Sequence, residues 1–170
     1  MAVRLRKKVC MIGDFAVGKT SLVARFVNNV FSEKYLTTVG VKIDTKVVKL
    51  DSQREVKLVL WDIAGNDEFS TTAAAYLRGA SGYLLVVDGT RLATLDAALR
   101  LKAAVDESLQ HPPFVALFNK EDLQHDWEIS MDSVADLRRQ GWPIVVTSAR
   151  TGHGVEEAFR EFARRLAESP

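Results

Sequence analysis

The sequence predicts one α/β domain over residues 1–170, built on a six-stranded, mostly parallel sheet. Short continuous apolar runs, typical of strands buried on both faces, recur four times, at residues 8–12, 83–87, 114–118 and 144–146. Helical patterns separate these runs, as in chains that place helices on both faces of a parallel sheet. Residues 41–47 and 55–61 flank a short turn instead, which predicts an antiparallel hairpin at one edge of the sheet.

About five helices are expected on the two faces of this sheet. Apolar side chains at helical spacing predict one helix over residues 21–29 and another over residues 95–109. A third pattern, around residues 134–137, ends where Gly141 follows, as helices commonly do. The apolar stripe over residues 155–166 predicts a helix near the end of the sequence.

The composition excludes several classes of protein. Hydrophobic residues make up 47% and charged residues 26%, which indicates a globular domain rather than a disordered chain. The formal net charge of +1 gives no general attraction to nucleic acid, so no nucleic-acid partner is expected. The one dense basic run, residues 4–8, is interpreted as a solvated entry to the first strand. The single cysteine, Cys10, lies inside that strand and is expected to be a buried thiol.

The sequence carries no signal for a membrane address. No apolar run is long enough to cross a bilayer, and the first residues lack the core of a signal peptide. Position 2 is Ala rather than Gly, and no cysteine stands near Pro170, so neither myristoylation nor prenylation of this chain is expected. We therefore expect a cytoplasmic monomer without a direct membrane anchor.

The most informative stretch is GDFAVGKT at residues 13–20, which matches GxxxxGK[ST] between a predicted strand and a predicted helix. In this motif the glycines allow several backbone N–H groups to converge on a phosphate chain, and the start of the helix adds its positive dipole end. Lys19 is expected to reach the β- and γ-phosphates, and Thr20 to offer a hydroxyl to Mg²⁺. The alternative is a Gly-rich turn without a ligand.

Further candidate residues follow the later strands, where parallel sheets bind ligands. Asp62 is placed to hold Mg²⁺ through a water molecule, and Gly65 lets its N–H approach a γ-phosphate; an ordinary turn is the alternative. Asp122 is expected to accept hydrogen bonds from N1–H and the exocyclic amine of guanine, a donor pair that adenine lacks. Asn119 is expected to tie its loop to the phosphate loop, and the Lys120 stem to pack along the base.

The segment Thr147–Arg150 follows the sixth strand, and the N–H of Ala149 is placed to donate to guanine O6. These four elements, in this order, resemble the Ras superfamily of small GTPases over nearly the whole chain. The sequence is most similar to the Rab branch, through residues 39–41, 60–65 and 76–80. The resemblance implies the small G-protein fold, with Mg²⁺ and GTP or GDP as ligands.

The resemblance also assigns roles to individual residues. Residues 31–40 and about 63–72 would be the two switch loops, and Thr38 would coordinate Mg²⁺ and sense the γ-phosphate. Tyr35 either covers the nucleotide or is an exposed loop aromatic. The implied nucleotide contacts are Gly13, Phe15, Ala16, Val17, Gly18, Lys19, Thr20, Ser21, Tyr35, Thr38, Gly65, Asn119, Lys120, Asp122, Ser148, Ala149 and Arg150. Ile43, Trp61 and Tyr76 fall where Rabs carry their apolar effector surface, with plain core packing as the alternative.

Several positions depart from the family pattern. Asn66 stands where the family has the catalytic Gln that orients the attacking water, so the set Asn66, Lys19 and Gly65 is expected to hydrolyse GTP slowly. Phe15 replaces a small or polar residue and either obstructs an arginine supplied by a partner or packs over the ribose side. Lys42 and Ile43 replace an acidic residue and Phe, which weakens the expectation that ordinary Rab effectors bind. Arg150 replaces a Lys where only a backbone contact is proposed.

The sequence therefore predicts a regulatory GTPase whose two switch loops present a surface to effector, exchange-factor and activating proteins. The main alternative is a nucleotide-locked interaction module with little or no hydrolysis, which Asn66 and Phe15 favour. A third possibility, a P-loop kinase of small metabolites, would need an acceptor pocket and an arginine-bearing lid. No insert of that kind is visible in the sequence.

Overall fold

The computed structural model of the chain describes residues 3–32, 40–63 and 71–169. Six strands of this part form one sheet in the order β2-β3-β1-β4-β5-β6. Their bounds are β1 Val3–Gly13, β2 Val41–Lys49, β3 Arg54–Ile63, β4 Gly82–Asp88, β5 Phe114–Asn119 and β6 Ile144–Val146. All neighbouring strands are parallel except β2 and β3, which form the antiparallel edge pair. The predicted α/β sheet with one edge hairpin is confirmed.

Five α-helices and one 3-10 helix accompany the sheet in the described residues. The helices are α1 Lys19–Asn28, α2 Thr71–Leu77, α3 Leu92–Leu109, α4 Met131–Arg139 and α5 Val155–Glu168, with the 3-10 helix at Glu121–Asp126. The apolar patterns identified α1, α3, α4 and α5. They missed α2 and the 3-10 helix, because elements of seven and six residues are too short to show a period. None of the described helices has the length and apolarity needed to span a bilayer.

The helices cover both faces of the sheet and enclose two apolar clusters. Alternate side chains of β1 enter different clusters, as the two-residue period of a strand requires. Val9 and Met11 pack with α1 and α5, whereas Cys10 and Ile12 pack with α3 and α4. Cys10 is fully buried, and this burial raises the pKa of its thiol to about 12. The expectation of a buried thiol is confirmed.

Strand β1 is longer than its apolar run. The sequence predicts a start at residue 8, but β1 begins at Val3 and pairs with Arg54 and the residues that follow it in β3. The prediction was wrong because residues 3–6 of the strand are exposed and lack the continuous apolar run of a strand buried on both faces. The ladder with β3 pairs the backbone there.

The parallel order brings the carboxyl ends of β1, β3, β4, β5 and β6 to one edge of the sheet. The residues there are Gly13, Ile63, Asp88, Asn119 and Val146. Loops that leave these positions therefore meet in space although they are far apart in sequence. This edge carries the candidate site.

Candidate functional site

The loop between β1 and α1 needs glycine at two of its motif positions. A Cβ on Gly13 would lie 2.6 Å from the carbonyl oxygen of Val86, and one on Gly18 would lie 2.3 Å from Nδ2 of Asn119. Gly18 also has a φ of 105°, a left-handed conformation that side chains disfavour. Ala16 adopts a φ of 60° without being glycine. The loop is thus tightly packed against β4 and β5 and bends through two left-handed residues.

Lys19 is drawn into this loop. Its side chain is 7% exposed, and Nζ donates to the carbonyl oxygens of Gly13 at 3.0 Å and Asp14 at 2.9 Å. Burial lowers the pKa of Lys19 to about 8, and the carboxylates of Asp62 and Asp14 partly oppose that shift. An ammonium group held by carbonyl dipoles at the start of a helix is suited to a phosphate ligand.

Thr20 and Asp62 meet beside it. Thr20 Oγ1 donates to Asp62 Oδ2 at 2.5 Å, and Asp62 is 1% exposed. Burial raises the pKa of Asp62, while the Thr20 hydrogen bond and the Lys19 charge oppose this rise. Asp62 Oδ1 is buried and has no hydrogen-bond partner among the described residues. A half-buried hydroxyl and an orphaned carboxylate oxygen are hard oxygen ligands, and they fit Mg²⁺ held directly or through water.

Asn119, at the end of β5, joins three loops. Its Nδ2 donates to the Val17 carbonyl at 3.0 Å, which confirms the predicted tie to the phosphate loop. Its Oδ1 accepts from Thr147 Oγ1 at 3.1 Å and from the N–H of Ala149 at 3.2 Å. The Ala149 N–H that was predicted to meet guanine O6 therefore already donates to Asn119 in this structure. The two segments expected to hold phosphate and base are fixed to each other by one buried amide.

Lys120 makes a second connection between the same segments. It has a φ of 75°, and its Nζ donates to the Ala16 carbonyl at 3.2 Å and to Asp88 Oδ2 at 2.6 Å. Asp88 also accepts from Arg91 Nε at 3.0 Å, and Arg91 Nη2 donates to the Phe15 carbonyl at 2.7 Å. Burial acts to raise the pKa of Asp88, but hydrogen bonds from Lys120, Thr90 and Arg91 outweigh it, so the pKa is lowered.

The guanine segment has its own support. Ser148 Oγ donates to Asp122 Oδ1 at 2.7 Å, which orients the carboxylate expected to read the base. Trp127 Nε1 donates to the Lys120 carbonyl at 2.8 Å. The indole ring lies against Gly89, where an added Cβ would fall 2.0 Å from a ring carbon. Trp127 therefore connects the base-reading segment, at Lys120, with the chain that follows β4, at Gly89.

Three residues of this network were not predicted from the sequence, namely Asp88, Arg91 and Trp127. Asp88 follows an apolar strand run, so the rule that ligands bind at strand ends was a signal that pointed to it. Arg91 had no local signal, because its partner Phe15 lies 76 residues away in the chain. Trp127 bonds Lys120 only 7 residues away, but its ring contact with Gly89 depends on β4 and β5 lying side by side.

Of the remaining predicted site residues, some lie in the described part of the chain and others lie outside it. Ser21 lies in the first turn of α1, and the backbone of Arg150 accepts from Arg25 Nη2 at 2.5 Å. Phe15 is 41% exposed, and its N–H donates to Asp14 Oδ1 at 2.7 Å. Outside the described residues lie Tyr35, Thr38, Gly65 and Asn66, with most of both switch loops.

The three residues of the expected effector surface lie together. Ile43 is opposite Trp61 in the β2–β3 ladder and is 49% exposed. The Trp61 and Tyr76 rings pack with their centroids 6.0 Å apart, and both side chains are half-buried. The alternative of plain core packing therefore does not describe Ile43, whereas Trp61 and Tyr76 border the apolar cluster beneath α2 and α3.

Comparison with known proteins agrees with this geometry. A sequence model of the Ras family matches residues 8–168. Ras-related protein Rab-32A of Dictyostelium discoideum is 36% identical over 164 residues, which cover 90% of this chain and 74% of the relative. Ras-related protein Rab-32 of Homo sapiens is 36% identical over 168 residues, covering 94% and 74% respectively.

A fungal protein gives a similar match. Ypt/Rab-type GTPase YPT7 of Saccharomyces cerevisiae is 36% identical over 168 residues, which cover 92% of this chain and 79% of the relative. The family match spans the sheet, the phosphate loop and the guanine segment described above. The chain belongs to the Ras family, and Rab-type proteins are among its relatives.

Proposed function

We propose that the chain is a regulatory GTPase that binds GTP and GDP with Mg²⁺, hydrolyses GTP slowly and signals through its two switch loops. The observation that carries this proposal is the buried Asn119 amide. It fixes the Lys19 phosphate loop to the segment that holds Asp122. A site that links phosphate binding and base reading in this way supports a guanine nucleotide as the ligand.

Each described residue has a defined task in the proposed site. The Lys19 ammonium and the loop N–H groups bind the β- and γ-phosphates. Thr20 and Asp62 hold Mg²⁺, which supplies charge neutralisation at the phosphates when bound. Asp122, oriented by Ser148, accepts the two guanine donors. Because adenine lacks that donor pair, ATP would leave the carboxylate desolvated and unpaired.

Nucleotide selectivity tests this assignment directly. We expect nucleotide-stripped protein to bind GDP at least ~10²-fold more tightly than ADP, because two hydrogen bonds to a charged group contribute about 3 kcal/mol or more. Asp122→Ala should remove most of this difference, whereas Glu121→Ala, which removes the neighbouring carboxylate, should retain it. Calorimetry in Mg²⁺ buffer measures both constants. Equal affinities for GDP and ADP in the unmodified protein would refute the proposal.

Slow hydrolysis rests on Asn66, which stands at the family's catalytic Gln position. Its amide is one methylene shorter, and a displacement of about 1 Å can cost ~10²-fold in positioned catalysis. We expect Asn66→Gln to raise the single-turnover rate of GTP hydrolysis, measured as released phosphate. If the unmodified protein is as fast as the variant or faster, the short amide is not what limits hydrolysis.

The second candidate function is a nucleotide-locked interaction module, and the same Asn66 favours it, together with the exposed Phe15 ring at the phosphate loop. The nucleotide that copurifies with the protein separates the two. GTP that persists for hours with Mg²⁺ present supports the locked module, whereas GDP supports the switch.

Partner proteins would read the switch loops and the surface formed by Ile43, Trp61 and Tyr76. Support for this comes from the exposure of Ile43 beside the aromatic pair. Lys42 and Ile43 make this surface different from the usual Rab pattern, so partners with a distinct sequence preference are proposed.

A further inference from the structure

A regular group of cations lies on one face of the sheet, outside the site described above. Strand β1 contributes Arg4, Arg6 and Lys8 to this face, because residues two apart on a strand point the same way. The β1–β3 register places Arg6 beside Lys57, and the β2–β3 register places Lys49 beside Glu55. We call the five cations Arg4, Arg6, Lys8, Lys49 and Lys57 the basic sheet face.

No helix of the described residues packs over the basic sheet face. The apolar cluster on this side of the sheet includes Cys10 and Ile12 of β1 and reaches β3 at Trp61 and Ile63. Residues earlier in both strands contribute nothing to it. The opposite side of β3 is covered, since Val56 and Leu58 lie in the cluster beneath α1 and α5. In β1, Val3 and Leu5 on that opposite side are themselves exposed. The side of the sheet that carries Arg4 and Arg6 is therefore open to solvent.

The charges of the basic sheet face are mostly not neutralised within the molecule. Arg4 Nε pairs with Glu55 Oε1 at 2.6 Å, the one carboxylate in the group. Lys8 Nζ donates to the Arg78 carbonyl at 2.6 Å and lies 3.8 Å from the centroid of the Trp61 ring. In the part of the chain that the structure describes, Arg6, Lys49 and Lys57 have no carboxylate partner. Five cations and one carboxylate concentrate positive charge here, although the whole chain carries only +1.

The basic sheet face continues directly into apolar side chains. Val47 lies beside Lys57 in the β2–β3 ladder, and Ile43 lies beside Trp61 two rows further along. The Lys8 ammonium over the Trp61 ring joins the charged rows to the aromatic pair Trp61 and Tyr76. The surface therefore offers cations at fixed strand spacings of ~7 Å, next to an apolar edge.

We propose that the basic sheet face is a docking surface for an acidic segment of a partner protein, whose carboxylates pair with Arg6, Lys8 and Lys57. The cations stand on β1 and β3, outside both switch loops, so this contact forms with GDP or GTP bound. It goes beyond the proposed function, which assigns partner binding to the nucleotide-dependent switches.

An acidic protein segment fits this surface better than an anionic membrane does. Glu55 stands among the cations and is paired with Arg4. A lipid surface presents its negative charge to Glu55 and to the cations alike, whereas a protein segment can place carboxylates against the cations and a donor against Glu55. Membrane contact would also cover Ile43 and Trp61, which the proposed function leaves open to partner proteins.

A defined peptide tests the proposal. The probe is a fluorescein-labelled strand-forming decapeptide with Glu at four alternate positions and one central Trp, and its control has Gln at those four positions. The double variant Arg6→Glu with Lys57→Glu removes the centre of the basic sheet face. The matched control, Arg100→Glu with Arg139→Glu, reverses two exposed cations on α3 and α4. Binding is followed by fluorescence anisotropy with GDP and with a non-hydrolysable GTP analogue.

We expect the Glu peptide to bind the unmodified protein in both nucleotide states, more weakly as NaCl rises. The Arg6/Lys57 variant should lose about tenfold in affinity, whereas the Arg100/Arg139 variant should stay within about twofold. Equal losses in the two variants, or equal binding of the Gln peptide, would overturn the proposal. Phosphatidylserine vesicles that bind in an Arg6- and Lys57-dependent manner, when the peptide does not bind, would also overturn it in favour of a membrane.

Binding of a fluorescent GDP analogue is measured on every protein. Retained GDP binding shows that each variant is folded, because the site lies at the opposite ends of β1 and β3. Failure of all proteins to bind GDP would count against the proposed GTPase function alone. The result with the peptide would still decide the role of the basic sheet face.

Discussion

Trp127 offers a sharp test of how the base-reading segment is supported. Its Nε1 donates to the carbonyl of Lys120 at 2.8 Å. Its ring packs so closely against Gly89 that a Cβ at that position would clash with it. The variant Trp127→Phe keeps an aromatic ring at this position and removes the donor together with part of the indole ring. The Lys120 carbonyl, in a residue held at a φ of 75°, then loses this partner.

The expected effect follows from that single hydrogen bond. A neutral hydrogen bond contributes about 1 kcal/mol net, and the Lys120 carbonyl keeps its other bond, from the Leu123 N–H at 2.9 Å, so the loss should stay at ~1 kcal/mol. If this loss of about 1 kcal/mol destabilises the GDP-bound state relative to the free protein, the affinity for GDP falls ~5-fold. We expect the change in the dissociation rate, because a loosened Lys120–Asp122 segment releases the base more easily.

The assay is the displacement of a fluorescent GDP analogue by excess GDP, combined with thermal unfolding of each protein. Trp142→Phe is the matched control, because it makes the same chemical change in a residue that packs edge-on against Phe114, with ring centroids 5.6 Å apart. The control should lose stability without faster GDP release. If both variants release GDP at the same rate, Trp127 acts through general stability and the reasoning fails.

Two further predictions concern the same network. Asp88→Asn should destabilise the protein by about 2 kcal/mol at pH 7, since it removes the charge partner of the half-exposed Lys120. The pKa of Asp88 is lowered in the folded state. Its contribution to stability is therefore fully present above pH ~4 and is lost as the pH falls through the pKa of the folded state. Urea unfolding from pH 3 to 7 should show the two proteins converging in acid, and a constant gap would contradict this. Ala16→Gly should stabilise the fold by about 0.5 kcal/mol, because it relieves a φ of 60°. The control Ala98→Gly, inside α3, should destabilise the fold by about 1 kcal/mol. If thermal unfolding shows that both changes destabilise the protein, Ala16 is not strained.

The sheet could be predicted from sequence because its central strands are continuous apolar runs. Strand β4 is buried at all seven positions, so nothing in it competes with the strand interpretation. The first five residues of β1 could not be predicted in the same way, since their structure depends on the β3 ladder rather than on their own pattern. The residues of a short segment indicate whether that segment is buried, but they do not indicate which distant strand it pairs with.

The residues of the candidate site also differ in whether a short stretch of sequence is enough to predict them. The motif residues could be found because each motif lies within a single loop, whose backbone geometry fixes the spacing of its residues. Gly13 and Lys19 belong to one such loop, and Asn119 belongs to another. Arg91 could not be found, because its guanidinium acts on the Phe15 carbonyl 76 residues earlier in the chain. Contacts of this kind appear only when the strand order brings β1 beside β4.

These distant contacts explain how the phosphate loop tolerates its two unusual residues. Phe15 is a bulky residue at this loop, and Ala16 holds a left-handed conformation that glycine would adopt more easily. Their carbonyl oxygens are the two that accept from Arg91 and Lys120. Both cations are anchored by Asp88, which is fully buried. The conformation that glycine would allow freely is therefore stabilised here by three charged side chains at the ends of β4 and β5, so a substitution at Asp88 should perturb the phosphate loop without touching it.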